Sequence, residues 1–300
     1  MGDRRNRRSP LVALLCVAIG LVGSGGCGDD GGDETRFGAA DDDADDDDLI
    51  PAPTGDLDIA GVRFLVRPDG MKLIPEGLGG YGCDPDFDDG CKGSDAPIGV
   101  VSLGMYWIDE RETSVEKYDA CANAGACRAT TELPGPVSTN GKDPITFVTA
   151  EDAKDFCAFV GGRLPSDAEW ERAARGVEGL RYPWGEAWCD TCCNWCDNAA
   201  CDGSVDGYDA LAPVTEFPNG ASPYGVFQLS GNVWEWTVGP DAEGVTRTWL
   251  RGGGYGLMDG VGDDSRPEDQ YRATRRIAAP DEPVGGPMFG FRCAADPVYE

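Results

Sequence analysis

The chain has 300 residues, 54 of them acidic against 25 Lys or Arg, no histidine, and a formal net charge of -29. So acidic a surface repels a phosphate backbone, which excludes nucleic-acid binding. Without an imidazole there is no Ser-His-Asp triad and no nitrogen ligand of the usual kind for a transition metal.

Arg4, Arg5, Arg7 and Arg8 precede an apolar run from Leu11 to Val22, followed by small residues and Cys27. A basic start, a short apolar stretch and a small-residue zone describe an export signal too short for a comfortable membrane span. The end of "VGSGGC" resembles the acylated cysteine of a bacterial lipoprotein, although Ser24 stands where leucine is usual. Residues 1–27 are therefore expected to be a lipoprotein signal with Cys27 lipidated. Cleavage near Ser24 to Gly26 with full secretion is the alternative. Acyl chains on Cys27 would anchor the protein to a membrane, each buried methylene contributing about 0.8 kcal/mol. The expected location is the cell envelope, with the membrane as one partner and an unknown protein or carbohydrate ligand as another.

Residues 28–60 form a linker whose segment "DDGGDETRFGAADDDADDDD" (29–48) is almost wholly aspartate, glycine and alanine. It has little to bury and repels itself, so it is expected to hold the domain away from the membrane. A calcium-binding tail is the other reading, but no ligand spacing supports it. Composition turns globular over residues 61–300, a length that suits one domain. "GVRFLVRPDGMKLI" is expected to supply an opening strand pair around a Pro-Gly turn region.

Three helices share one start signal. Thr113 with Glu116, Thr149 with Asp152 and Ser166 with Glu169 each place a hydroxyl three residues before an acid, the spacing of a capping box. Gly125, Gly161 and Gly176 follow as stops. On the third helix Trp170, Ala173 and Ala174 share a face expected to pack inward. From Leu180 onward few stretches are periodic and Gly and Pro turns abound, so the fold class is a loop-rich α+β domain. Such a fold needs staples. Thirteen cysteines in an exported chain read as disulfides. Cys83 with Cys91 and Cys121 with Cys127 would close local loops. "CDTCCNWCDNAAC" holds Cys189, Cys192, Cys193, Cys196 and Cys201, for which disulfides, a zinc site and a redox role are all open. Without Cys16 and Cys27 eleven cysteines remain, so one thiol in this cluster is expected to lack an intramolecular partner.

"GRLPSDAEWERAARG" (162–176), "YPWG" (182–185), "GNVWEW" (231–236), "LRGGGY" (250–255) and "GFRCAAD" (290–296) occur in this order. With "MKLIPEG" and "YWIDERETSVEKYDAC" upstream, the chain from about residue 62 to 296 resembles the sulfatase-modifying-factor, or formylglycine-generating-enzyme, domain family. The resemblance implies a variant of the C-type-lectin fold and a disulfide between Cys157 and Cys293. It also implies two calcium sites: one of Gln228, Gly231, Val233 and Glu235, the other of Asn198, Ala199, Asp206 and Tyr208. Calcium accepts six to eight hard oxygens, carbonyls included. Glu235 capping a turn is the plainer alternative, and Trp234 and Trp236 are expected to be core rather than a sugar-stacking platform.

Family members that oxidise a substrate cysteine hold copper(I) on two cysteines five residues apart, because soft copper(I) selects sulfur. Leu257 and Gly262 stand at those positions, no cysteine lies between Cys201 and Cys293, and Met258 alone is a weak substitute. No copper is expected. An iron site of carboxylates in "DGVGDDSRPED" (259–269) competes with a solvated acidic loop, and Arg272, Arg275 and Arg276 are expected to pair with those acids. The sequence therefore points to a non-catalytic, calcium-stabilised recognition scaffold. The alternative is an oxidoreductase whose metal or redox centre has moved, for instance to Cys189 through Cys201.

Overall fold

The three capping signals produce three helices, one of them a residue later than the spacing suggests. The computed structural model describes residues 65–66, 68–86, 91, 98–195, 203, 205–256, 267–279 and 284–299. The chain divides into Met1–Ile59 and Ala60–Glu300, and every described residue belongs to the second unit. The signal, the acidic linker, Cys27, Cys196, Asn198, Ala199, Cys201, Leu257, Met258 and Gly262 all lie outside the described residues.

Helix α1 (Val115–Asn123) is capped by Ser114, not Thr113: the Ser114 side chain accepts from the Lys117 amide at 3.4 Å. Thr113 is instead held in the backbone ladder, donating to the Phe291 carbonyl and accepting from the Ile145 amide. Helices α2 (Ala150–Phe159) and α3 (Asp167–Arg175) each carry a complete capping box, Thr149 with Asp152 and Ser166 with Glu169. Gly125, Gly161 and Gly176 follow the three helices with φ of 74°, 80° and 67°, which glycine adopts without a Cβ clash.

The strands are short. β1 (Leu65–Val66) and β2 (Met71–Ile74) flank the Pro-Gly turn but do not pair with each other. β3 (Gly77–Tyr81) and β4 (Gly99–Leu103) form a two-stranded antiparallel sheet, and β5 (Tyr106–Asp109) runs antiparallel to β2. The largest sheet forms where the sequence looked aperiodic: β6 (Trp234–Pro240), β7 (Thr246–Arg251), β8 (Arg276–Ala278) and β9 (Phe289–Gly290) in the order β8-β7-β6-β9, with β6 and β9 parallel. β10 (Ala294–Ala295) adds to the other edge of β5, and β11 (Val298–Tyr299) pairs with β1. The opening strand is thus closed by the end of the chain instead of by its sequence neighbour.

Alternation along β5 separates two apolar clusters. Trp107 enters one with Tyr118, Phe156, Trp234, Trp236, Phe289 and Phe291, while Tyr106 and Ile108 enter the other with Ile74, Trp170, Ala173 and Ala174. Period-two geometry requires that split, because successive side chains leave opposite faces of a strand. The same rule governs β6. Trp234 and Trp236 are 1% and 3% exposed in the first cluster, so they are core, and Glu235 and Thr237 turn to the opposite side, toward α3.

Disulfides join Cys83 to Cys91, Cys121 to Cys127, Cys157 to Cys293 and Cys189 to Cys192. Cys193 is a buried free thiol, which burial and the nearby Asp206 and Asp190 carboxylates hold well above the ordinary thiol pKa. No described helix is long and apolar enough to cross a membrane.

Candidate functional site

Glu235 faces an arginine. Arg292, two residues beyond β9, donates from Nε to Glu235 Oε2 at 2.6 Å and from Nη2 to Oε1 at 2.7 Å, while Trp170 Nε1 donates to Oε2 at 2.8 Å. Both charged side chains are fully buried. Parallel pairing of Glu235 with Gly290 brings the two motifs into register. The fork geometry of guanidinium on carboxylate is the form of ion pair that tolerates burial best. Arg292 Nη2 also donates to the Phe227 and Gln228 carbonyls. Burial opposes the Arg292 charge, but Glu235 outweighs it and holds the guanidinium pKa above its ordinary value.

The glycine-asparagine start of the motif has its own role. Asn232 takes a left-handed backbone with φ of 60° and lies fully buried. Its Nδ2 donates to Glu112 Oε2 at 2.7 Å and to the Ala212 carbonyl, and its Oδ1 accepts from Asn194 Nδ2 and the Ala212 amide. Gly231 has φ of 79°, and a Cβ there would come within 2.1 Å of the Asn194 carbonyl oxygen, so only glycine fits. Around this hub three buried acceptors have no donor: Glu112 Oε1, Gln228 Oε1 and Asn194 Oδ1. Glu112 is 1% exposed, and burial, then the Glu235 charge, push its carboxyl well above the ordinary range.

These contacts test the calcium ligands that the resemblance implies. Gln228 is compatible with such a role: its Nε2 is committed to the Pro213 carbonyl at 2.9 Å, which leaves Oε1 without a donor. Val233, five residues further on, is fully buried. Glu235 already has Arg292 forked onto both oxygens, so a cation at its carboxylate would share it with that charge. At the second set, Asp206 Oδ2 accepts from the Trp195 amide at 2.7 Å and Oδ1 from the Tyr208 amide at 3.0 Å, closing a tight turn that brings Asp206 and Tyr208 next to Asn194 and Trp195. Asn194, not singled out in the sequence, precedes the Trp195 that bonds Asp206; Asn198 and Ala199 lie outside the described residues.

The glycine run that precedes the copper positions is described to Gly256. Gly252 and Gly253 take φ of 93° and 85°, and Cβ atoms there would lie 3.2 Å from Trp170 and 2.7 Å from Tyr271. Among the arginines that follow, Arg272 pairs with Asp269 at 2.8 Å, as nearby acids should allow. Arg276 instead crosses to Asp167 on α3 at 2.7 Å and stacks 3.8 Å over the Trp249 ring.

The architecture is that of solved formylglycine-generating-enzyme-type folds. PvdO from Pseudomonas aeruginosa superposes with a TM-score of 0.57 at 22% identity, covering 75% of this chain and 93% of that one. By sequence, residues 63–297 match the sulfatase-modifying factor enzyme 1-like domain, and the chain belongs to that family. The formylglycine-generating enzyme of Thermomonospora curvata is 35% identical over 311 residues, covering 82% of this chain and all of that protein. Inactive C-alpha-formylglycine-generating enzyme 2 of Mus musculus is 36% identical over 157 residues, 51% of this chain and 49% of that protein. The chain thus spans about half the length of that mammalian relative.

Proposed function

We propose that this protein is an envelope-anchored, non-catalytic member of the family, a recognition scaffold held together by disulfides and calcium. The observation that carries this reading is the absence of cysteine from residues 202–292, the stretch in which the copper pair falls in cysteine-oxidising members. Copper(I) requires soft ligands, and Leu257 and Gly262 supply none. Similarity to a relative named as inactive supports the same direction. Calcium is proposed at Gln228, Gly231, Val233 and Glu235, as the resemblance implies, and at Asp206 and Tyr208 with the neighbouring Asn194. Cys27 is proposed as the lipid anchor and the acidic linker as a spacer.

The test is enzymatic. Purified protein, loaded with copper(I) and supplied with oxygen and a cysteine peptide of the sulfatase type, is expected to leave the peptide mass unchanged. Conversion of the cysteine to an aldehyde would overturn the proposal. A second reading, a relocated redox centre, draws on the Cys189–Cys192 disulfide with the Cys193 thiol next in sequence. It predicts turnover of a dithiol substrate that is lost in Cys189→Ser.

A further inference from the structure

The sequence contains two Asn-Gly steps, Asn140–Gly141 and Asn219–Gly220, and the fold treats them differently. Asparagine before glycine is the step most open to cyclisation, because no Cβ shields the glycine nitrogen as it approaches the side-chain carbon. The attack also needs that nitrogen free and its peptide able to rotate. At Asn219 neither condition is met. The Gly220 N–H closes a short helical turn (Pro218–Gly220) by donating to the Phe217 carbonyl at 2.9 Å. Gly220 is buried, and a Cβ there would come within 1.9 Å of the Cys192 carbonyl oxygen, so its backbone is wedged in place.

At Asn140 the surroundings are the reverse. Asn140 is exposed and opens a turn in which the Asp143 amide donates to the Asn140 carbonyl at 3.0 Å. Gly141, next in that turn, has no acceptor for its N–H among the described residues. The Asn140 side chain folds back over the same peptide, because its Oδ1 accepts from the Lys142 amide at 3.2 Å. That Asx turn also polarises the Cγ–Oδ1 bond toward attack. The side-chain amide is held by one bond, from Nδ2 to Asp143 Oδ1 at 2.7 Å, and water competes for a donor so exposed.

We propose that Asn140 is a site of spontaneous deamidation that unseats helix α1, whereas the fold protects Asn219. The Gly141 nitrogen bonds to Asn140 Cγ, the Cγ–Nδ2 bond breaks, and Nδ2 leaves as ammonia with the proton from Gly141. Water then opens the succinimide at either carbonyl, which leaves aspartate or isoaspartate. Nothing is oxidised or reduced. The product sets a carboxylate against Asp143, which loses one donor and keeps Ser138 Oγ at 2.6 Å. This turn supports its neighbours: the Asp143 and Gly141 carbonyls accept from the Val115 and Glu116 amides at 2.9 and 3.0 Å, in the first turn of α1. The Lys142 carbonyl accepts from the Val214 amide at 2.9 Å. Like charges at residues 140 and 143 therefore loosen contacts made by three carbonyls. The site is independent of the function proposed above.

Peptide mass analysis of the full chain, incubated in mildly alkaline buffer, tests the proposal with Asn219 as the internal control. In the folded protein Asn140 is expected to convert at least about fivefold faster than Asn219, the effect of one hydrogen bond that must first be broken. In concentrated urea that gap is expected to close. Equal rates in the folded protein would overturn the proposal, as would an Asn140 that stays intact there while both sites react in urea. Asn140→Asp supplies the product charge directly and is expected to lower the melting temperature by a few degrees at neutral pH. An unchanged melting temperature would overturn the link to α1.

Discussion

At the scale of single residues the molecule is governed by buried charge. Asp109, at the end of β5, is pushed up to a pKa of about 6, chiefly by burial, although the Cys293 amide donates to its Oδ2 at 2.8 Å. The folded state therefore holds that proton more tightly than the unfolded chain does. Stability from this group is present near pH 4 and is lost as pH rises to about 6. Asp109→Asn keeps an acceptor for the Cys293 amide and removes the titration. Its stability relative to the native protein is expected to rise by about 3 kcal/mol between pH 4 and pH 7, a shift of two pKa units at 1.36 kcal/mol each. Urea unfolding at a series of pH values measures this; a difference independent of pH would contradict it. Glu235 illustrates the limit of a sequence reading at this scale. The motif announces a carboxylate between two tryptophans, but its partner Arg292 lies 57 residues downstream. Nothing within the motif distinguishes a guanidinium from a metal ion as the group that offsets its charge.

At the scale of elements, the helices were legible because their signals are local. Serine or threonine three residues before an acid satisfies free helical amides wherever it occurs. At α3 the device is reinforced: Arg163 donates to both Glu169 oxygens at 2.8 Å while Glu169 accepts from the Ser166 amide at 2.7 Å. Ser166→Ala is expected to cost about 1 kcal/mol, the usual worth of such a cap. Ser114→Ala, which removes one long bond without a reciprocal partner, is expected to cost less, and Thr113→Ala leaves the α1 cap intact. Thermal unfolding of the three variants checks the order. The offset at α1 arises because Thr113 and Ser114 are both hydroxyl residues, and the ladder to Phe291 and Ile145 claims the first. The sheet of β6 to β9 was not legible for a different reason. Both faces of β6 are buried, with tryptophans on one and Glu235 and Thr237 on the other, so the alternation does not read as apolar against solvent-facing polar. β9 is two residues long and joins in parallel from the far end of the chain. Non-local pairing of that kind leaves no periodic trace.

At the scale of the whole molecule, covalent and ionic cross-links substitute for long regular elements. The Cys157–Cys293 bond spans 136 residues and both cysteines are fully buried. In the chain-entropy picture its closure contributes about 5 kcal/mol, against about 2 kcal/mol for Cys121–Cys127, which spans 6 residues. The paired variant Cys157→Ala with Cys293→Ala is therefore expected to lose more than twice the stability lost by Cys121→Ala with Cys127→Ala in denaturant titration. Equal losses would mean that loop length is not what sets the contribution of these bonds. Between α3 and the main sheet a second set of links is ionic. Arg251 reaches Asp167 at 2.5 Å and Glu171 at 3.0 Å, and Arg276 reaches Asp167 at 2.7 Å, all of them buried. Burial would raise the Asp167 pKa, but Arg251 and its neighbours outweigh it and hold the carboxyl below its ordinary value.

Family membership and a stretch, residues 202–292, without cysteine together set what this molecule is expected to hold. The direct measurement is elemental analysis of the protein purified from its native host without chelator. Calcium at about one or two ions per chain, with copper at trace level, is the expected result. Stoichiometric copper, retained through dialysis, would contradict the proposed non-catalytic role.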